Sequence, residues 1–366
     1  MSTSSAPLVS VLISTHDDAR FLPPAIESVL RQTFGDLELI VVDDGSSDQT
    51  PELLAEIADP RLVVLTNERK LGLAASLNRA LERARGKFCA RLDADDVAMP
   101  ERLERQLARM RAEPPVGVLG TAVLDIDAGG RPGPLRRMAV GTRAVRWHAL
   151  FSAPVLHPTI LFDRELFAAC GLRYDESYGE SEDYELVTRV LGHADADNLG
   201  EPLVLKRGHP GQATMRRGEL QSSLARGVAL REIERLAPQL EGAELAWKLG
   251  RGQTPADLPR AVRAFRELLA AFERRYGTDA AVRAAAAREL VRGGRPLDGL
   301  RIAPTLPARI AVDRGQRVAQ TRSARLSVLL GLFAMLVVIR AIFVARRNIT
   351  LAQRGRLPRN GPWPPH

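Results

Sequence analysis

Short apolar runs that alternate with helical patterns constrain the fold of this chain more than any other feature of its sequence. Between the runs, apolar residues recur every three to four positions, as on the buried face of a helix. Strands that alternate with helices at this spacing form a largely parallel sheet with helices on both faces. The sequence therefore predicts a doubly wound α/β domain. Its strands are expected over residues 9–15, 37–42, 61–65, 87–92 and 116–124.

Polar residues follow three of these strands at the point where each strand ends. Thr15 and His16 close the first, Asp43 and Asp44 close the second, and the fourth runs into the segment 93–96, Asp-Ala-Asp-Asp. In sheets of this kind a ligand lies beyond the carboxyl ends of the strands. We therefore expect the three polar runs to meet at one edge and to form a site.

The acidic segment at the end of the fourth strand predicts a divalent metal. Asp93 and Asp95 offer hard oxygen ligands without a neighbouring His or Cys, which suits Mg²⁺ or Mn²⁺ rather than zinc. An acidic turn before a helix that Pro100 opens is the simpler explanation of an isolated Asp-x-Asp. The two other polar runs at the same edge favour the metal. Neither a dinucleotide-binding nor a P-loop glycine motif occurs, so a bound pyrophosphate would need a metal to offset its charge.

Four motifs in the first half of the chain resemble family 2 glycosyltransferases, which have the GT-A fold. Segments 72–78 and 90–96 resemble the branch of the family that builds capsules and exopolysaccharides. The resemblance extends over about residues 8–215. The four motifs are Val-Ser-Val-Leu-Ile-Ser-Thr-His at 9–16, Ser-Val-Leu-Arg-Gln-Thr-Phe at 28–34, Val-Val-Asp-Asp-Gly-Ser-Ser-Asp at 41–48 and Leu-Asp-Ala-Asp-Asp at 92–96.

The resemblance implies an activity and its substrates. It implies the inverting, metal-dependent transfer of a single sugar from a nucleoside-diphosphate sugar, with a UDP-sugar favoured, to an acceptor hydroxyl. The acceptor would be a glycan or a lipid-linked molecule in the assembly of extracellular polysaccharide or another cell-surface glycan. The sequence lacks the several membrane spans and the Gln-x-x-Arg-Trp motif of family members that extrude polymers. That difference argues against processive polymer export.

The resemblance also assigns roles to the polar strand ends. Asp44 would contact the nucleotide base with Thr15 and Asp43 beside it, while Asp93 would face the ribose and the metal. Asp95 would bind the metal that bridges the diphosphate. The family commonly has a Tyr-Asn pair where this chain has His16 and Asp17. A stacking contact with the base would therefore come from an imidazole.

Further roles fall in the second half of the resembling region. Asp183, in the pair Glu182-Asp183, matches the family's catalytic base, and Ser181 before it is expected to cap a helix. Adjacent carboxylates repel each other, which raises the pKa of one of them. His157 lies in a segment that lines the acceptor side in the family, although a structural histidine is favoured. Near the end of the region, Lys206 and Arg207 would screen the leaving group and His209 would reach the metal, with a plain basic loop as the alternative.

Beyond residue 215 the resemblance ends and the composition shifts to Ala, Leu, Arg and Glu in helical patterns. Helices are predicted over 219–236, 245–249, 257–276 and 278–292. The predicted domains are a glycosyltransferase domain at 1–215, a helical region at 216–320, a membrane-associated or single transmembrane segment at 321–347 and a basic, proline-rich tail at 348–366.

The charge distribution predicts an anionic membrane as a partner. Residues 1–215 carry 24 Lys and Arg against 32 Asp and Glu, whereas residues 216–366 carry 28 against 12. The apolar run 326–345, interrupted by Arg340, would span the membrane or lie on it. Nucleic acid is not expected, because no RNA-binding motif or zinc-finger spacing occurs. With two cysteines and no signal sequence, the catalytic domain is expected in the cytoplasm, attached to the inner face of the plasma membrane through this segment.

Two alternatives to the transferase remain open. A nucleotidyltransferase also uses paired acids on an α/β sheet, but it typically has a Gly-rich loop with Arg and Lys near the first strand. Here that position holds Ser14-Thr15-His16-Asp17. The second alternative is a membrane-bound scaffold that keeps the fold without turnover. Hydrolysis of a nucleotide sugar by the purified protein would separate all three.

Overall fold

The computed structural model describes residues 6–179, 181–209 and 218–292, together with residue 302. A four-stranded parallel sheet forms its centre, in the order β3-β2-β1-β4. These strands lie where apolar runs predict them, so the predicted α/β class is confirmed. They are β1 (Val9–Thr15), β2 (Leu37–Asp43), β3 (Leu62–Thr66) and β4 (Phe88–Arg91).

Helices cover both faces of the parallel strands. The alternation of side chains along β1 shows how: Val11 and Ile13 are buried in one core with α1 and α4, whereas Leu12 is buried in a second core with α3. Because each face is apolar, the strands read as continuous hydrophobic runs in the sequence. The helices of this half are α1 (Leu22–Leu30), α2 (Thr50–Ala55), α3 (Leu73–Arg83) and α4 (Arg102–Met110). The last begins two residues after Pro100.

Short strands extend the sheet beyond β4 in a mixed arrangement. Within the described residues, nine strands form one sheet, and its second half follows the order β4-β8-β6-β9-β5, with β7 beside β6. β8 is antiparallel to both β4 and β6, whereas β6 and β9 are parallel. The added strands are β5 (Val97–Ala98), β6 (Val118–Ile126), β7 (Pro132–Arg136), β8 (Leu161–Asp163) and β9 (Ala196–Arg207). Among them run α5 (Thr142–His148), α6 (Arg164–Ala169) and α7 (Glu182–Val190).

Within residues 218–292, four helices build a third core against α5 and α7. Trp147 of α5 is central to it: its ring lies 5.1 Å from Phe151, 5.7 Å from Phe265 and 5.2 Å from Phe272. Tyr184 of α7 belongs to the same core. The helices confirm the predicted pattern, while the domain boundaries stay predictions. They are α8 (Gly218–Leu236), α9 (Ala243–Gly250), α10 (Leu258–Tyr276) and α11 (Ala280–Arg292).

The predicted membrane segment at 321–347 and the basic tail at 348–366 lie outside the described residues. In the part of the chain that the structure describes, no helix is both long enough and apolar enough to cross a membrane.

Candidate active site

Three carboxylates gather in the turn that follows β4. Oxygen atoms of Asp93, Asp95 and Asp96 all lie within 4.8 Å of one another. The turn is closed by a hydrogen bond from the amide of Asp96 to the carbonyl of Asp93, at 3.2 Å. The acidic cluster (residues 93, 95 and 96) therefore lies at the carboxyl edge of the sheet, where the spacing predicts it.

Basic side chains surround the acidic cluster. Asp93 forms ion pairs with Nη2 of Arg91 and, at 3.6 Å, with Nζ of Lys206. Burial would raise the pKa of Asp93, but these two cations outweigh it and hold the pKa well below its usual range. Asp95 contacts Nε2 of His209 at 3.0 Å. Predicted binding residues from two distant parts of the chain, the end of β4 and the end of β9, thus meet.

Asp96 is the member of the cluster that best supports a cation. Its side chain is fully buried; Oδ1 accepts a hydrogen bond from the amide of Arg207 at 2.8 Å, and Oδ2 has no hydrogen-bond partner among the described residues. Burial, together with repulsion from Asp93 and Asp95, raises its pKa. An unpartnered buried oxygen beside two further carboxylates is a donor set that Mg²⁺ or Mn²⁺ fits.

Asp44 shapes the loop at the end of β3. Its two oxygens accept hydrogen bonds from the Asn67 side chain (2.7 Å) and from the amides of Leu71 (2.8 Å) and Gly72 (2.8 Å). Burial raises the pKa of Asp44, but these hydrogen bonds bring it below its usual value. The carboxylate therefore organises the loop 67–72 beside the predicted base site, whatever contact it makes with a nucleotide.

The other residues predicted to bind the nucleotide lie beside Asp44. His16 donates a hydrogen bond from Nδ1 to the carbonyl of Asp44 at 3.0 Å. Asp43 is buried and accepts a hydrogen bond from the amide of Ser46 at 3.0 Å. Thr15 pairs in register with Asp43 along the sheet. The polar ends of β1 and β2 are therefore together, as predicted, and their contact with a base stays a prediction.

Asp183 lies in the first turn of α7, and its Oδ1 accepts a hydrogen bond from the amide of Tyr184 at 2.7 Å. Burial raises its pKa despite the attraction of Arg91, and the charge of Asp93 contributes in the same direction. The predicted base is therefore within electrostatic reach of both Asp93 and its partner Arg91. The catalytic role itself stays a prediction.

The neighbours of Asp183 have structural partners. Glu182 is buried and lies 3.5 Å from Nδ1 of His157, whose Nε2 lies 3.0 Å from the Tyr174 hydroxyl. Burial holds the pKa of His157 well below its usual value, so the imidazole is neutral. Ser181 occupies the N-cap position without a capping hydrogen bond; its hydroxyl donates to the carbonyl of Gln221 at 3.1 Å. The predicted side-chain cap is wrong because the hydroxyl binds α8.

Arg207 donates hydrogen bonds from its side chain to backbone carbonyls. Its Nε donates to the carbonyl of Asp95 at 2.9 Å and its Nη1 to that of Asp127 at 3.3 Å, while the guanidinium lies 5.0 Å from the centre of the Phe21 ring. The side chain thereby joins three loops at the site. The role of Arg207, and of Lys206 beside Asp93, in screening the leaving group remains a prediction.

Three residues of the site were not singled out by the sequence. Arg91 is buried, and its Nε and Nη1 have no hydrogen-bond partner among the described residues. In the sequence it only interrupts an apolar strand. Asp18 accepts a hydrogen bond from the Thr15 hydroxyl at 3.3 Å, and the ring of Phe21 lies 4.8 Å from that of His209. Asp18 and Phe21 lie just after the polar end of β1, and that position in the sequence could have identified them as site residues.

Comparison with known proteins points to one family. The model described as "Glycosyl transferase family 2" matches residues 10–168. The amylovoran biosynthesis glycosyltransferase AmsE of Erwinia amylovora is 31% identical over 217 residues, which cover 58% of this chain and 80% of AmsE. An uncharacterized glycosyltransferase of Methanocaldococcus jannaschii is 31% identical over 210 residues, covering 55% of this chain and 70% of that protein.

Two further likenesses are more limited. The Escherichia coli protein WfgD, named as a UDP-Glc:alpha-D-GlcNAc-diphosphoundecaprenol beta-1,3-glucosyltransferase, is 41% identical over 103 residues, or 28% of this chain and 41% of WfgD. Among solved structures, S. aureus TarS 1–349 in complex with UDP-GlcNAc superposes with a TM-score of 0.52 at 18% identity, covering 82% of this chain and 91% of that one. At that identity the likeness shows the fold alone.

Proposed function

The chain belongs to glycosyltransferase family 2, and we propose that it transfers a single sugar, with inversion, from a nucleoside-diphosphate sugar to an acceptor hydroxyl. It has the GT-A fold, with relatives named for polysaccharide biosynthesis. The observation that supports the finer proposal is the proximity of Asp183 to the acidic cluster, close enough for the charge of Asp93 to raise the pKa of Asp183.

The proposed reaction is a single displacement at the anomeric carbon. Asp183 takes the proton of the acceptor hydroxyl as the acceptor oxygen bonds to that carbon. The bond from the anomeric carbon to the phosphate oxygen breaks, and its electron pair leaves with the nucleoside diphosphate. Lys206, which lies 3.6 Å from Asp93, is placed to offset the charge of the departing diphosphate. Attack opposite the leaving group inverts the configuration of the sugar.

Asp93, Asp95 and Asp96 of the acidic cluster would hold Mg²⁺ or Mn²⁺, together with His209, which contacts Asp95. When bound, such an ion neutralises negative charge on the diphosphate and favours its departure. Arg91 and Lys206 keep Asp93 ionised, which maintains it as a ligand or as an acceptor for the ribose hydroxyls.

A UDP-sugar is the proposed donor and a lipid-linked glycan the proposed acceptor. The name of WfgD combines a UDP-sugar with a diphosphoundecaprenol-linked acceptor, and the TarS structure is a complex with UDP-GlcNAc. The sequence similarity to WfgD supports this substrate class, whereas the likeness to TarS supports the fold alone. The identity of the transferred sugar is left to experiment.

The test supplies purified protein and Mn²⁺ with a panel of UDP-, GDP- and TDP-sugars, and follows both the released nucleoside diphosphate and the new glycoside. We expect turnover with one class of donor, a UDP-sugar. A protein that transfers a nucleotidyl group would release pyrophosphate from a nucleoside triphosphate instead. A scaffold would bind nucleotide sugars without turnover, which would overturn the proposal.

We also propose that the catalytic domain is attached to the inner face of the plasma membrane through residues 321–347. Ten arginines and no acidic residue follow Asp313, and two pairs of them flank the apolar run. Each basic residue near an anionic surface contributes about 1 kcal/mol, and apolar burial adds to this. Truncation before Arg322 should move the protein from the membrane fraction to the supernatant with donor hydrolysis intact. Full-length protein that remains in the supernatant without detergent would contradict the proposal.

A further inference from the structure

Helix α7, which carries Asp183, is packed between two cores. Leu186, Val187 and Val190 are buried against the sheet, whereas Tyr184 is buried among the C-terminal helices. The Tyr184 hydroxyl donates a hydrogen bond to the carbonyl of Ala149 at 2.5 Å. The position of the first turn of α7 therefore depends on the helical region as well as on the sheet.

Helix α8 makes polar contacts with α7 and with the turn before it, and one side chain supplies most of them. Arg231 donates a hydrogen bond from Nη2 to the Thr188 hydroxyl at 2.9 Å. Its Nη1 lies 3.4 Å from Oε1 of Glu185 and 3.3 Å from the Tyr178 hydroxyl. At the start of α7, the hydroxyl of Ser181 donates to the carbonyl of Gln221 in α8. Both ends of the contact fix α7 against translation along α8.

The fold does not depend on Arg231 to neutralise a buried charge. Glu185 is 2% exposed, and Nε of Arg189 also lies 2.9 Å and 2.8 Å from its two oxygens. The Thr188 hydroxyl also keeps a hydrogen bond to the carbonyl of Glu185 at 2.8 Å. When Arg231 is replaced, the Glu185 carboxylate stays paired with Arg189. We therefore expect the variant to fold.

We propose that Arg231 is a positioning residue for Asp183, and that through it the C-terminal helices set the geometry of the catalytic base. The inference rests on the proposed function. It assigns a catalytic purpose to a region outside the family resemblance, because α8 lies entirely beyond residue 215. A general base acts only within hydrogen-bond reach of its proton, so a displacement of about 1 Å can cost on the order of 100-fold in rate.

The chain offers a matched control one helical turn away. Arg235 lies on the same helix and its Nη1 pairs with Glu232 at 2.9 Å, as Nε of Arg231 does at 3.0 Å. Among the described residues, its hydrogen bonds and ion pairs include none with α7, and its side chain is 58% exposed. Replacement of either arginine by Met keeps the apolar stem and removes the charge. The comparison therefore isolates the contacts of Arg231 with Thr188, Glu185 and Tyr178.

The test compares Arg231→Met with Arg235→Met in the full-length protein. We expect Arg231→Met to lower kcat by about 10- to 100-fold with the donor KM unchanged, Arg231→Lys to recover part of the loss, and Arg235→Met to match the wild type. In an Asp183→Asn background, Arg231→Met should lower kcat no further, because it acts through Asp183. A kcat within twofold of the wild type, or an equal loss in both backgrounds, would overturn the proposal.

Hydrogen exchange gives a readout that does not depend on turnover. Amides of 182–190 should exchange about tenfold faster in Arg231→Met than in Arg235→Met, as expected when one or two charge-assisted hydrogen bonds are lost. Equal exchange in the two variants overturns the positioning role even if no donor is found. If the wild type transfers no sugar but exchange differs as expected, the proposed function fails, and the support of α7 by Arg231 stands.

Discussion

Asp183→Asn is expected to reduce sugar transfer by about 10²–10⁴-fold, because the variant has no group to accept the acceptor's proton. Binding of the nucleotide sugar should change little, since Asn keeps the size of the side chain and can accept the hydrogen bond from the Tyr184 amide. Single-turnover rates and calorimetric titration of the donor measure the two effects separately. Glu182→Gln is the matched control: Glu182 faces His157 and should not be the base.

Asp183→Asn should be at least as stable as the wild type at neutral pH. Burial raises the pKa of Asp183 above its value in the unfolded chain, so the native state favours the protonated carboxyl. The contribution to stability is present at low pH and is lost as pH rises through the native pKa. Asn carries no charge and avoids that loss. Thermal unfolding at pH 7 should show Tm unchanged or raised, whereas a marked decrease would indicate a structural role.

Activity has the opposite dependence on pH. The base acts only when ionised, so kcat should fall as pH decreases through the raised pKa of Asp183, above the 3.8 of an ordinary Asp. Asp183→Asn should lack this acidic limb. If Asp183→Asn retains a tenth or more of kcat while Glu182→Gln is inactive, the base has been assigned to the wrong neighbour.

Asp95→Asn is expected to lower kcat on the order of 10²–10³-fold, because it removes an anionic oxygen from the proposed metal site. Chelator should abolish turnover of the wild type, and Mn²⁺ or Mg²⁺ should restore it. In the variant, Mn²⁺ should no longer strengthen nucleotide binding in calorimetry. Ligand oxygens of Asp93, Asp95 and Asp96 lie within 4.8 Å of one another, so the substitution removes one of three anionic ligands.

The control for Asp95 lies at the opposite edge of the sheet. Asp59 precedes β3, and its Oδ2 lies 2.9 Å from Nη2 of Arg61 in a local ion pair. Asp59→Asn should therefore leave the metal dependence unchanged. Full activity of the wild type in chelator would show that the reaction does not need a metal. Such a result would assign the neutralisation of the diphosphate to Lys206 and its neighbours.

The parallel half of the fold could be predicted because its strands are continuous apolar runs and its helices have a periodic apolar face. β1, β2 and β4 are apolar on both faces, and their polar ends identify the edge that carries the site. The second half gives a weaker signal. β8 has three residues and β5 has two, too few for a period to be recognised, and their antiparallel pairing depends on contacts with distant strands.

Within the site, the sequence identifies which residues meet but not how they are paired. The role of Asp44 in the loop 67–72 depends on Asn67, which is 23 positions away. Arg91 reads as an exception in a buried strand until the structure shows its ion pair with Asp93. The contacts of Arg231 with α7 likewise join segments more than 40 positions apart. Local sequence patterns do not show which distant residues pair.

The anomeric configuration of the product tests the central claim most directly. Proton NMR of the glycoside formed by the wild-type enzyme, recorded before any equilibration, gives the anomeric coupling constant for comparison with that of the nucleotide-sugar donor. Direct displacement assisted by Asp183 predicts the opposite configuration in the product. Retention of the donor's configuration would contradict the single-displacement mechanism and the role of Asp183 as its base.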